Sequence, residues 1–185
     1  MPLTNPTPLP AAHDAPAYEA LRRATADLGA VQANGRPFEM TQALAQLARC
    51  YRGIGATEMA TTSFEQALLW SAFAGSIDGT VDLLCELGET AALRADELDD
   101  GAPRSGRGHA ARERARDHAF EAATLAARVA DPRWEIVVLL RISQVLERCG
   151  DRDDAMSMQT RALRLLAGDL ATPADLTLPP ALADC

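Results

Sequence analysis

Lysine does not occur in this chain: all 18 basic residues are arginine. Every mechanism that depends on an ε-amine is thereby excluded, including a Schiff base, a phosphate-loop lysine and an activated lysine nucleophile. Aromatic residues are also scarce, at 4%. Alanine alone supplies 37 of the 185 residues, and a chain rich in Ala and Leu with few β-branched residues is helical rather than all-β. No stretch approaches the ~18 consecutive apolar residues of a membrane span. Residues 1–14 carry neither a positive charge nor an apolar run of about 7–15 residues, so they do not read as a secretory signal. The expected address is the cytoplasm. Cys50, Cys85, Cys149 and Cys185 are far apart, with no C-x-x-C and no Cys/His cluster at zinc spacing. The first three read as small buried hydrophobes and the last as an exposed thiol.

Acidic residues outnumber basic ones, 26 to 18, for a net charge of −8. That balance argues against the broad basic face that nucleic acid requires. The imbalance is one-sided. Residues 1–100 hold 14 acids and 6 arginines, whereas residues 101–185 hold 12 of each.

The predicted organisation is all-α, about seven helices between two disordered tails at 1–14 and 169–185. The first helix follows Asp14 and ends at Asn34-Gly35, a helix C-terminal stop. The second starts near Pro37, where proline suits a first turn, and stops at Gly53 and Gly55. Thr57 is the expected N-cap of the third, and Asp78 or Thr80 that of the fourth. Residues 96–109 read as an insertion loop. Helicity resumes near Ala110. Asp131-Pro132 is the strongest local start signal, and Asp151 is expected to cap the last helix. Helices joined by short turns lie antiparallel to their neighbours, so the chain is a series of helical hairpins.

Self-comparison reveals a repeat. Leu44-x2-Leu47-Ala48-x2-Tyr51, Gly55 and Ala60-x3-Phe64-x2-Ala67 recur 95 residues later as Leu139-x2-Ile142-Ser143-x2-Leu146, Gly150 and Ala155-x3-Gln159-x2-Ala162. A middle copy begins Leu84-x2-Leu87-Gly88-x2-Ala91. Its second helix is displaced beyond the insertion, around Ala115, Ala119 and Ala122. Large apolar residues thus alternate with small ones that admit a neighbouring helix closely. The pattern resembles the tetratricopeptide repeat (TPR) family over residues 37–168, as about three degenerate repeats with the middle one split. The implied architecture is a TPR-like α-solenoid of antiparallel hairpins spanning 15–168.

The same resemblance implies a concave groove lined by the first helix of each pair. The partner-binding positions it implies are Gln46, Arg49 and Arg52, then Glu86 and Glu89, then Arg141, Gln144 and Arg148. Gln42, Asp82 and Glu147 flank them, so the groove is basic, acidic, then basic. Chaperone-binding members of the family grip a C-terminal carboxylate with Lys and Asn. Ala45, Arg49, Glu86, Val137 and Arg141 stand at those places here, and only Arg141 fits, so that activity is not expected.

No catalytic constellation emerges. The acidic clusters Asp96, Glu97, Asp99 and Asp100 and Asp151, Asp153 and Asp154 read as a solvated loop and a helix start. His13, His109 and His118 lack a second ligand at metal spacing, and no metal or cofactor is expected. Arg104, Arg107, Arg112, Arg114 and Arg116 form a candidate secondary basic patch following a Gly-rich segment, where a phosphate is the conceivable ligand. The expected function is a non-enzymatic adaptor binding a protein or peptide, with self-association as an alternative. The competing readings are a small acidic bacterial secretion chaperone of TPR type and a phosphate or ligand sensor built on the arginine-rich insertion.

Overall fold

A computed structural model describes residues 15–33, 35–99 and 106–171, and among these the chain is entirely helical, without a strand. Seven helices follow one another: α1 (Ala15–Gln32), α2 (Pro37–Gly53), α3 (Thr57–Ala74), α4 (Ile77–Asp99), α5 (His109–Ala126), α6 (Pro132–Cys149) and α7 (Arg152–Ala171). Each helix packs on the next in sequence, and α4 also packs along α6. The result is three antiparallel hairpins, α2–α3, α4–α5 and α6–α7, stacked in order with α1 laid against α2. This is the expected hairpin solenoid.

The repeated positions are the core. Leu44, Ala48, Ala60, Phe64 and Ala67 are buried in the first hairpin, and Leu139, Ile142, Ser143, Leu146, Ala155 and Ala162 in the third. In the middle hairpin Leu84 of α4 packs in one cluster with Ala115, Ala119 and Ala122 of α5, while Leu87 packs in the cluster of the first hairpin with Phe64. Phe64 has no aromatic counterpart in the other two hairpins. Ala119 fills that place in α5, and Gln159 fills it in α7, donating to Glu147 Oε1 at 2.9 Å. The turns repeat as well. Gly55 and Gly150 both adopt positive φ, 75° and 89°, which only glycine takes without strain. The following amides close equivalent bonds, Ala56 N–H to the Tyr51 carbonyl and Asp151 N–H to the Leu146 carbonyl, each at 2.9 Å. These are helix-terminating bonds that satisfy otherwise orphan carbonyls.

Asp131 caps α6 as expected, accepting from the Arg133 and Trp134 amides at 3.1 and 3.2 Å with Pro132 in the first turn. Pro37 likewise opens α2. Three other expected caps are corrected. Thr57 is the first residue of α3, and its hydroxyl donates instead to Glu97 Oε2 at 2.6 Å. Ser76, not Asp78 or Thr80, holds the start of α4, its Oγ accepting from the Gly79 amide at 3.0 Å. Asp151 accepts from Arg116 Nη2 at 2.9 Å, because an arginine on the neighbouring hairpin outcompetes the local amides for its carboxylate.

The expected loop at 96–109 is shorter than its composition suggests. Helix α4 runs on through Asp99, and α5 already begins at His109. Tertiary partners account for this. Asp96 takes the Arg148 guanidinium at 2.6 Å, and buried Asp99 accepts from the Gly108 amide at 3.0 Å and pairs with Arg112. Gly108 is required there, since a Cβ would lie 2.5 Å from the Ala95 carbonyl oxygen. Helix α7 also reaches Ala171, into the segment expected to be a tail. The expectations for 1–14, Asn34, the remainder of the insertion at 100–105 and 172–185 lie outside the described residues.

Two substitutions test this architecture. Phe64→Ala should lower unfolding free energy by about 3–5 kcal/mol in urea titrations, because a fully buried ring leaves a cavity between closely packed helices. Asp131→Ala should cost about 1 kcal/mol, read as a lower melting temperature with unchanged helicity.

Candidate functional site

Along an α-helix, residues three and four apart share a face. On α2 that spacing aligns Gln42, Gln46, Arg49 and Arg52; on α4, Asp82, Glu86, Glu89 and Asp96; on α6, Arg141, Gln144 and Arg148. The hairpin stacking brings α2, α4 and α6 side by side, so the eight residues expected to line a groove do gather on one surface.

The charged residues of this surface form ion pairs across the helices. Arg49 Nε donates to Glu86 Oε1 at 2.9 Å, and Arg52 Nη2 lies 2.6 Å from Glu86 Oε2. That second contact has the distance of a hydrogen bond without its angle, so it is an ion pair only. Arg52 Nη1 also reaches Glu89 Oε2 at 3.3 Å and the Thr90 hydroxyl at 3.4 Å, while its guanidinium carbon sits 5.6 Å from the Phe64 ring centroid. From the other side Arg141 grips Glu89 Oε1 through Nε at 3.0 Å and Nη2 at 2.8 Å, with Asp82 Oδ1 at 3.5 Å. Arg148 continues the series to Asp96. A ladder of charge, basic on α2, acidic on α4 and basic on α6, ties the three hairpins together.

Glu86 is the centre of the ladder and the most buried of its charges, 7% exposed. Burial by itself raises its pKa. The hydrogen bond from Arg49 and the charges of Arg52 and Arg49 outweigh that and hold the carboxyl below its ordinary value. For Asp82 the balance goes the other way. Burial raises it, and Arg141 and Arg49 offset only part of the rise.

Two hollows flank the Arg49–Glu86–Arg52 knot. One, about 440 Å³, lies toward the start of α2 and α4 and is lined by Phe38, Gln42, Gln46, Arg49, Asp82 and Leu83 among others. The other, about 240 Å³, is lined by Arg52, Glu89, Leu93, Gln144, Val145 and Arg148. Phe38 and Leu83 were not among the expected site residues, because an isolated apolar side chain gives no signal that distinguishes a site lining from a core. Asp96 was assigned to the loop and so was missed. The signal that would have found it is its place seven residues beyond Glu89 on the same helical face.

The secondary arginine set is divided. Arg104 lies outside the described residues. Arg112 and Arg116 line one hollow with His109 and Cys149, where they are engaged by Asp99 and Asp151 respectively. Arg114 lines a different cleft, with Glu58, Glu65, Arg94 and His118. Arg107 is placed in the turn before α5. His118 is half-buried, and its desolvation lowers its pKa in spite of Glu121, Glu65 and Asp117 nearby. Exposed His109 pairs with Glu113. The thiols of Cys50, Cys85 and Cys149 are buried, and burial pushes Cys85 up to about 12, far from the thiolate that redox or ligand chemistry needs. His13 and Cys185 fall outside the described residues.

No described helix is long and apolar enough to cross a membrane. Comparison with the models of known protein families and with curated proteins finds no match.

The lowered pKa of Glu86 sets a pH dependence. A carboxylate whose folded pKa lies below its unfolded value contributes stability that is complete above about pH 4.5 and lost as pH falls through the folded pKa. Melting temperature should therefore drop on acidification below pH 4.5. Glu86→Gln should flatten that drop while costing about 1–3 kcal/mol at neutral pH. Thermal melts of both proteins between pH 3 and 7 read both effects.

Proposed function

We propose that this chain is a non-enzymatic protein-interaction module of the TPR type, receiving a peptide or partner helix on the α2/α4/α6 face. The observation that carries this reading is the gathering of the non-core polar residues of three repeated helices on one surface, with a hollow on each side of its central ion pairs. Those ion pairs hold the surface in shape before any partner arrives, which lowers the ordering cost of binding. Gln42, Gln46 and Gln144 expose their amides to the solvent, and among the described residues the amide of Gln46 donates only to Cys50 Sγ, at 4.0 Å. Arg49 spends only its Nε on Glu86 among the described residues, leaving its terminal nitrogens for a ligand carboxylate. Beside them Phe38, Ala45 and Leu83 supply apolar lining. The chemistry that fits is a segment carrying an apolar side chain next to an acidic group. We place the module in the cytoplasm.

Capture on the full chain, compared with a Gln46→Trp/Gln144→Trp variant, tests this. Both glutamines are exposed, so the indoles should block the two hollows without unfolding the protein. The expected result is a discrete partner held by the wild type and lost by the variant, with identical circular dichroism. Binding should also weaken as salt screens the Arg49 contact. A partner retained equally by both proteins would remove the groove from the account.

A further inference from the structure

The two ends of the stack differ. At the amino end α1 covers the first hairpin and turns outward a mainly polar face bearing Glu19, Arg22 and Arg23, with Tyr18 as the one large apolar side chain exposed there. A polar outer face is what a terminal element of a stacked array needs to stay in water. The carboxyl end exposes large apolar side chains beside its charges. Leu140 of α6 and Met156, Leu163 and Leu166 of α7 are 45%, 64%, 65% and 45% exposed. These are stacking positions. Leu140 stands where Ala45 and Cys85 are buried in the earlier hairpins, Leu163 where Ala123 is buried, and Leu166 where Ser71 and Ala126 are buried under the next hairpin. Met156 stands where Arg116 reaches across to Asp151 of the following hairpin. Among the described residues nothing covers them.

We propose that this face is a homodimer interface, in which α7 pairs antiparallel with α7 of a second copy about a two-fold axis. The pattern along α7 is self-complementary. Met156 and Leu163, two turns apart, share one outward stripe about the middle of the helix, so an antiparallel partner sets each Met156 on the other copy's Leu163. Asp153 and Arg164, about three turns apart, lie together on one flank of that stripe. Both are exposed, and neither forms an ion pair among the described residues. The same two-fold axis faces Asp153 of each copy with Arg164 of the other, giving two reciprocal ion pairs as an isologous contact requires. Head-to-tail stacking is disfavoured because α1 exposes one large apolar side chain, Tyr18, beside charges, too little to receive the leucines.

Sedimentation equilibrium of the full chain across tens to hundreds of micromolar tests the proposal. A mass approaching about 39 kDa, twice the 19.7 kDa protomer, is expected. Leu163→Asp should return it to the protomer mass, with helicity unchanged because the side chain is exposed. Asp153→Arg and Arg164→Asp should each weaken dimerisation at least tenfold, and the double exchange should restore it. That rescue does not depend on whether Leu163→Asp folds well. A wild type at 19.7 kDa throughout, a dimer indifferent to Leu163→Asp, or a double exchange that fails to rescue overturns the assignment. A monomeric full chain that dimerises once residues 172–185 are removed also overturns it, in favour of the chain's own C-terminal segment as the occupant. The proposed partner groove is on another face, so the Gln46→Trp/Gln144→Trp variant should dimerise normally.

Discussion

The close approach of consecutive hairpins is the constraint on which everything else rests. Ala48, Gly88 and Ser143 occupy the same place in the three first helices, and each is small where a neighbouring helix passes. At Gly88 an added Cβ would meet the Ala115 carbonyl oxygen at 3.4 Å and a methyl of Val145 at 3.6 Å. The alanines of α5 and α7 play the same part on the other side of the stack. Close packing of this kind stabilises through many small dispersion contacts, and it also sets the distances at which side chains on different hairpins meet.

The charge ladder is a consequence of those distances. Arginines on α2 and α6 reach acids on α4 only because the helix axes are drawn together beneath them. Exposed pairs such as Arg148–Asp96 contribute little, about 0–1 kcal/mol each. The Arg52–Glu86 contact is different in kind. It sits over the Phe64 ring at the edge of the core, where removing either partner leaves a charge partly withdrawn from water. The same surface therefore serves two ends. It holds three hairpins in register, and it presents a shaped, polar face with Arg49 at the rim of an apolar hollow. On the proposed function, a ligand there would meet a site whose charges are already ordered.

The asymmetry of the two ends follows from the same logic. A stacked array must end somewhere, and its last hairpin retains the face that its predecessors bury. Helix α1 resolves this at one end by turning charge to the solvent. Helix α7 keeps leucines where alanine and serine stand in the buried copies, and a methionine where Arg116 reaches the next hairpin. Larger apolar side chains at a surface position are the reverse of what solvation favours, and that reversal is the reason to read the face as a contact.

Much of the fold was legible because its determinants are local or periodic. Helix content follows from alanine and leucine. The turns follow from Gly55, Gly150 and Asp131-Pro132, and the hairpin stacking from a motif that recurs at fixed offsets. That Gln46, Arg49, Arg52, Glu86, Glu89, Arg141, Gln144 and Arg148 share one side of the stack was legible for the same reason, since helical spacing places them on one face of each helix. The expectations that failed all concern polar side chains with two claims upon them. Thr57 and Asp151 have the chemistry of caps, yet Glu97 and Arg116 lie closer and make stronger bonds. Asp96, Glu97 and Asp99 have the composition of a loop, yet ion pairs and hydrogen bonds to α6, α3 and the start of α5 hold them in a helix. Sequence by itself determined which residues turn inward, because burial depends on periodicity that a single chain displays. Tertiary structure alone decided which charge meets which along the ladder, because Coulombic and hydrogen-bond energies depend on distances between residues 34 to 59 positions apart along the chain.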